Sequence, residues 1–168
     1  MVLKTTLAAF PGVEGMRRLT QSLAMLDAIM SPEWEYRYYS FNSKWDEREM
    51  MASMSNGSGD GYFILFDSHG GIMKGFDHES AMSPWSAEDE KLWPGIFDEV
   101  PDEFQSFLSE PAFSIHETTF CVWRRYLDSS WQVGRIDYPD EDDPDGSEWM
   151  LSIPDGRPST YKEFAESY

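Results

Sequence analysis

The sequence predicts an α+β fold: a largely antiparallel sheet of about six strands with three or four helices packed mainly on one face. Three observations support this prediction. They are a helical apolar stripe near the N terminus, a series of short strand-like runs separated by turn residues, and a second helical pattern at the C terminus. The chain has 168 residues, no internal repeat and no clean linker. We therefore expect one domain spanning residues 1–168.

The first helix is predicted within 12–30, and Pro32 ends it shortly afterwards. Large apolar side chains recur in it at spacings of three and four, which places them on one stripe: Met16, Leu19, Leu23, Leu26 and Met30. Such a stripe can be a face buried in the core of the same chain. It can also be the seam of a homodimer, so the sequence leaves both monomer and homodimer open.

The next segment is predicted to form a four-stranded antiparallel meander. Its strand-like runs are rich in aromatic and aliphatic residues and lie at 34–41, 48–54, 62–66 and 72–76. "DSHGG" joins the last two runs, because its paired glycines permit positive φ. His69 is then a residue of the turn.

The region after the meander is predicted to be irregular over 77–100, apart from one helical turn beginning at Ser86. A helix begins near Pro101, since proline followed by acidic residues favours a first helical turn. The segments 118–127 and 131–137 then form a second hairpin.

The C-terminal segment "PSTYKEFAESY" predicts a last helix. Thr160 and Glu163 have the spacing of a capping box at its start. Its apolar residues fall on one stripe: Tyr161, Phe164, Ala165 and Tyr168.

The chain is strongly acidic, with 31 Asp and Glu against 13 Lys and Arg and a net charge of −18. A surface of this sign repels nucleic-acid phosphates and anionic lipid heads, so we expect neither nucleic acid nor a membrane as a partner. A basic protein is the partner class that such a charge favours.

The sequence also predicts a cytoplasmic location. Cys121 is the single cysteine, which excludes an intrachain disulfide. The apolar residues near the N terminus are interrupted by Lys4, Thr5 and Thr6, which is untypical of a signal peptide. No stretch approaches the roughly 18 apolar residues of a membrane span.

"DHES" (77–80) is a compact polar group that offers possible metal ligands. Asp77, His78 and Glu79 could converge with His116, which precedes the next long strand, and such a set would suit a metal-dependent hydrolase. The spacing matches no specific metal motif, so the principal prediction is no metal and no cofactor. "NGSGDG" (56–61) lacks the context of a phosphate loop or a nucleophile elbow and predicts a hairpin turn.

"DYPDEDDPDGSEW" (137–149) is the most distinctive segment. With Gly146 in the sixth position of a calcium loop, positions one, three and five would be Glu141, Asp143 and Asp145. Position twelve would be Ser152, where a bidentate Glu is required. The sequence leaves open whether this loop binds calcium, is simply solvated, or binds a basic partner.

Three segments together carry a resemblance over most of the chain: "IMKGFDHES", "FCVWRRYLDSSWQVG" and "DDPDGSEWMLSIPDGRPSTYKEFAESY". They resemble a family of uncharacterised bacterial proteins, a resemblance that implies no catalytic residue. In size, charge and its C-terminal helix, the chain is also similar to bacterial immunity proteins that neutralise toxins.

The leading hypothesis from the sequence is a non-enzymatic binding protein that recognises a basic protein, possibly as an immunity protein does. Carboxylates would accelerate the encounter and an aromatic side chain would anchor the partner. The predicted binding residues all come from the acidic segment: Tyr138, Asp140, Glu141, Asp142, Asp143, Asp145 and Trp149.

Overall fold

The computed structural model describes residues 7–86 and 90–167. Within them, six antiparallel strands form one sheet in which the spatial order follows the chain order. The strands are β1 (Tyr39–Asp46), β2 (Glu49–Ser55), β3 (Gly61–Phe66), β4 (Gly70–Phe76), β5 (Phe120–Arg125) and β6 (Gln132–Val133). The predicted α+β class and the four-stranded meander are therefore confirmed.

In the described part of the chain, four α-helices with defined bounds accompany the sheet, and residues 7–9 are helical as well. The four are α1 (Val13–Met30), α2 (Gln105–Ser109), α3 (Ser147–Met150) and α4 (Pro158–Ser167). Short 3₁₀ turns lie at Trp34–Tyr36, Pro84–Ser86, Asp102–Phe104 and Pro111–Phe113. In the described ranges, every helix is too short or too polar to cross a lipid bilayer.

One face of the sheet is covered by α1, α3 and α4. Met16 and Leu23 of α1, Met150 of α3 and Tyr161 of α4 belong to the same buried cluster as Ile64 of the sheet. This is the arrangement that the helical stripes predict, because each helix buries its apolar side against the strands.

The other face is covered by the irregular segment between β4 and β5. It contributes three fully buried phenylalanines, Phe104, Phe107 and Phe113, which pack with Ile72 and Cys121 of the sheet. Burial raises the pKa of the Cys121 thiol. Cys121 is thus a buried apolar group rather than an accessible thiolate.

Strand β4 lies between these two layers and is buried at all seven positions. Its only charged residue, Lys74, is 3% exposed and donates hydrogen bonds to the carbonyl oxygens of Ser114 (3.2 Å) and Glu117 (2.6 Å). Burial lowers the pKa of Lys74 to about 8. Gly75 is required by close packing, because a Cβ there would lie 2.1 Å from the ring of Phe120.

One predicted boundary is wrong near the start of the sheet. The segment 34–41 begins with a 3₁₀ turn, and the strand starts at Tyr39. The turn is held because the Arg37 guanidinium donates to the carbonyl oxygens of Ser31 (2.8 Å) and Pro32 (2.7 Å).

The ends of other elements also differ from the predictions. Thr160 lies inside α4 and donates to Asp155 instead of capping the helix with Glu163. The predicted strand 131–137 has only two strand residues, those of β6. Two predictions reach beyond the described residues: the turn beginning at Ser86 runs into 87–89, and the apolar stripe of α4 ends at Tyr168.

Asp27 joins α1, the sheet and α4. Its carboxylate is 2% exposed and accepts hydrogen bonds from the backbone N–H of Tyr39 (3.0 Å) and the hydroxyl of Tyr161 (3.3 Å). A buried carboxylate is tolerated only where such donors replace water. Asp27 therefore fixes where both long helices sit on the sheet.

We expect Asp27→Ala to lower the free energy of unfolding by about 2–4 kcal/mol, because it leaves the N–H of Tyr39 buried without an acceptor. The matched control is Glu14→Ala on the same helix, which removes an exposed ion pair with Arg17 and should cost much less stability, because solvent screens that pair. Urea unfolding followed by tryptophan fluorescence measures both. Equal losses in the two variants would contradict the role assigned to Asp27.

Candidate functional site

Polar side chains gather where β4 ends and β3 begins. Gly61 pairs with Phe76 in the antiparallel register, so Asp60 and Asp77, the next residues outward, lie side by side. The backbone N–H and the ring Nδ1 of His78 both lie within hydrogen-bond distance of Asp60 Oδ1, at 2.9 and 2.5 Å. The Asn56 amide donates to Asp60 Oδ2 at 2.8 Å.

The acidic segment docks on this strand end from the other side. The indole Nε1 of Trp149 donates to Asp77 Oδ2 at 2.8 Å, and the hydroxyl of Thr119 donates to the carbonyl oxygen of Asp145 at 2.7 Å. Gly146 has φ +75, and a Cβ there would lie 2.5 Å from Asp77. Only glycine therefore permits both this turn and the close approach of α3 to Asp77.

Burial, hydrogen bonds and nearby charges shift the pKa values of Asp60 and His78. Burial acts to raise the pKa of Asp60, but the hydrogen bonds from His78 and Asn56 outweigh it, and the pKa lies below its ordinary value. The hydrogen bond to Asp60 raises the pKa of His78, and the carboxylates of Glu79 and Asp77 add to the effect. An ion pair is thus favoured at the end of β4.

Ligand atoms of Asp60, Asp77 and His78 lie within 4.8 Å of one another, and no other such group occurs in residues 7–86 and 90–167. The carboxylate oxygens already accept hydrogen bonds, including one from the N–H of Glu79 to Asp77 Oδ1. A metal ion would have to displace these donors. The cluster is a hydrogen-bond network that connects three segments: the loop before β3, the residues after β4 and helix α3.

The structure brings together only some of the metal ligands that the sequence predicts. Asp77 and His78 belong to the cluster, whereas the Glu79 carboxylate is 85% exposed and lies 3.9 Å from His78 Nε2. His116 is exposed in the turn before β5 and does not belong to the cluster. The turn residue His69 donates its N–H to Asp67 Oδ1 at 2.7 Å.

The sequence-predicted binding residues divide into an exposed and a structural group. Asp140, Glu141 and Asp142 are exposed, and the indole of Trp149 is 39% exposed. Tyr138 is half-buried against the second face of the sheet. We call the three exposed carboxylates together with Trp149 the acidic surface.

Asp143 and Asp145 serve the fold of the loop instead. The Asp143 carboxylate accepts from the N–H groups of Glu148 (2.9 Å) and Trp149 (3.1 Å) at the start of α3. Asp145 is only 1% exposed and accepts from the N–H of Ser147 at 3.0 Å. The prediction that Asp145 belongs to an exposed acidic surface is therefore wrong, because the turn at Gly146 directs it inward. Two of the three carboxylates considered for calcium are thus used internally.

Sequence reasoning missed Asp60 and Trp85. Asp60 falls in a glycine-rich turn, and only the strand register brings it beside Asp77. Trp85 is 55% exposed, and its ring centroid lies 6.2 Å from that of His78. The small residues at 56–61 predict a turn before β3. They do not predict that Asp60 of this turn lies beside the end of β4.

Comparison of the chain with protein-family models, with curated proteins and with solved structures gives no match. The resemblances noted from the sequence therefore stay predictions.

The Asp60–His78 pair should make the stability of the fold depend on pH. The lowered pKa of Asp60 gives stability that is present above its unfolded value near 3.8 and lost as pH falls through the folded pKa. The raised pKa of His78 gives stability that is present below 6.5 and lost as pH rises through its folded pKa. The pair therefore stabilises the fold most between these two values.

An NMR titration of the His78 ring tests the origin of the shift. Asp60→Asn should lower the pKa of His78 clearly, because the hydrogen bond to Asp60 is the largest cause. Glu79→Gln is the matched control and should lower it less, since Glu79 acts only through space. An unchanged pKa in Asp60→Asn, in a folded protein, would refute the assignment.

Proposed function

We propose that this protein is a non-enzymatic binding protein that recognises a basic protein partner through the acidic surface. The observation that carries the proposal is the position of Asp140, Glu141 and Asp142, three consecutive exposed carboxylates in the loop that leads to Trp149. Neutralisation of a basic toxin, as by the immunity proteins that the chain resembles, is the most specific form of this proposal.

The charge of the chain supports a basic partner. A net charge of −18 attracts a cationic molecule over a long range, and the three adjacent carboxylates give that attraction a local direction. None of the three is held in a described side-chain ion pair. As exposed carboxylates, they can pair with Lys or Arg of a partner.

Trp149 provides a rigid anchor beside these charges. Its indole is fixed by the hydrogen bond to Asp77, and its backbone N–H is held by Asp143. A partly exposed aromatic ring that is already ordered loses little conformational entropy on binding. Such a ring can contact the aliphatic part of a Lys or Arg side chain, or its cationic end.

The charge-neutralising triple variant Asp140→Asn, Glu141→Gln, Asp142→Asn tests this proposal. We expect it to slow association with fluorescently labelled polylysine by about tenfold at low salt, because electrostatic attraction accelerates encounter by roughly that factor or more. Stopped-flow anisotropy measures the rate. The difference from the unchanged protein should shrink as salt is added.

The matched control is the triple variant Asp98→Asn, Asp102→Asn, Glu103→Gln. It removes the same charge from exposed positions in the segment between β4 and β5, outside the acidic surface. It should change the rate by no more than about twofold if the acidic surface directs encounter. Equal slowing in both triple variants would mean that net charge alone acts and would contradict the proposal.

A metal-dependent hydrolase is the second candidate, favoured by the convergence of Asp60, Asp77 and His78. In the form that the sequence suggests, it would also use Glu79 and His116. The purified protein should then contain close to one equivalent of zinc or manganese, and adding the ion should raise its melting temperature. Elemental analysis that finds no such metal, together with an unchanged melting temperature, would exclude it.

A further inference from the structure

The C-terminal half of α1 exposes an apolar ridge. Met25, Leu26, Ile29 and Met30 are 60, 43, 70 and 60% exposed, and Trp34 in the next turn is 73% exposed. Between residues 20 and 32 the only charged residue is Asp27, which is buried. In a chain with a net charge of −18, this helical surface therefore presents no charge.

A groove lies beside this ridge, between α1 and β1, with a volume of about 350 Å³. Ala24 and Ala28 form its helical wall, and Trp34 and Phe41 line it as well. β1 is an edge strand of the sheet, and within residues 7–86 and 90–167 no further strand pairs with it on this side. The same surface thus presents projecting apolar side chains and a recess that could receive them.

We propose that this surface binds a second copy of the chain and forms a symmetric homodimer. A twofold interface uses the same surface on both copies, so the surface must be complementary to itself. The ridge and the groove meet that requirement, since Ile29 or Met25 of each copy can enter the groove of the other. The predicted seam differs, because Met16 and Leu23 are buried in the core.

The exposed side chains supply a substantial part of the area that a stable dimer buries. A large aromatic side chain covers roughly 150–250 Å² when fully buried. Trp34, which is 73% exposed, therefore offers on the order of 110–180 Å² by itself, and the four other apolar side chains and the groove walls add to it. A standard interface buries about 800 Å² on each partner.

The distribution of charge favours a second copy on this face. Two chains of −18 repel each other, and contact through the C-terminal half of α1, where no carboxylate is exposed, avoids desolvating such groups. At the rim of this surface Glu33 and Glu35 are exposed, and Arg37 lines the groove. A basic partner finds more carboxylates on the acidic surface, where three are consecutive. The remaining repulsion between copies acts at long range and is weakened by salt.

Light scattering coupled to size-exclusion chromatography tests the proposal on the full chain. The protein should have twice the chain mass of 19.4 kDa, and the dimer should become tighter as salt is added. Ile29→Glu should weaken the dimer at least about tenfold, because it places a carboxylate in an apolar contact next to its symmetry mate. Met25→Glu serves as a second variant if Ile29→Glu does not fold.

The matched control is Leu127→Glu, which adds the same charge at a residue that is 99% exposed in the β5–β6 turn. It should leave the dimer intact. A mass of 19.4 kDa for the unchanged protein at about 100 µM and high salt would overturn the proposal. A dimer that persists unchanged in both glutamate variants of α1 would overturn it too, since contact would then be elsewhere. The result for the dimer does not depend on the polylysine experiment, because salt weakens polylysine binding and strengthens the dimer.

Discussion

The burial of β4 on both faces is the constraint on which the rest of the structure depends. A strand with no solvent-exposed side must be covered twice, so α1 and α4 close one face and the segment between β4 and β5 closes the other. Lys74 is the one charged residue of this buried strand. Its ammonium group is tolerated because two carbonyl oxygens of that covering segment replace water.

The same constraint positions the candidate site. Because the interior of the sheet accepts so few polar groups, Asp60, Asp77 and His78 lie where the strands end. Asp77 and His78 are partly exposed there, and the buried Asp60 accepts hydrogen bonds from His78 and Asn56. Their hydrogen bonds are used to hold the loop before β3 and helix α3 in place, and the fixed position of Trp149 follows from them. The cluster thus supports the acidic surface structurally.

Charge is unevenly distributed over the outside of the molecule. Asp140, Glu141 and Asp142 are concentrated in one loop, whereas the exposed face of the C-terminal half of α1 carries apolar side chains and no charge. We have proposed a different partner for each surface, a cationic protein for one and a second copy of the chain for the other. Because salt weakens the first kind of contact and strengthens the second, the two associations are separable in solution.

The sequence by itself determined the fold class and the approximate place of the main helices and strands. Apolar periodicity is a local property, and the spacing of Met16 and Leu23 or the glycines before β4 reveals it without knowledge of the fold. The tertiary structure alone decided which polar groups meet. Asp60 joins His78 through strand register, Asp145 turns inward at Gly146, and Met30 stays exposed although it continues the stripe of α1. Each of these outcomes depends on residues distant in the chain, and side-chain spacing along one segment carries no information about them.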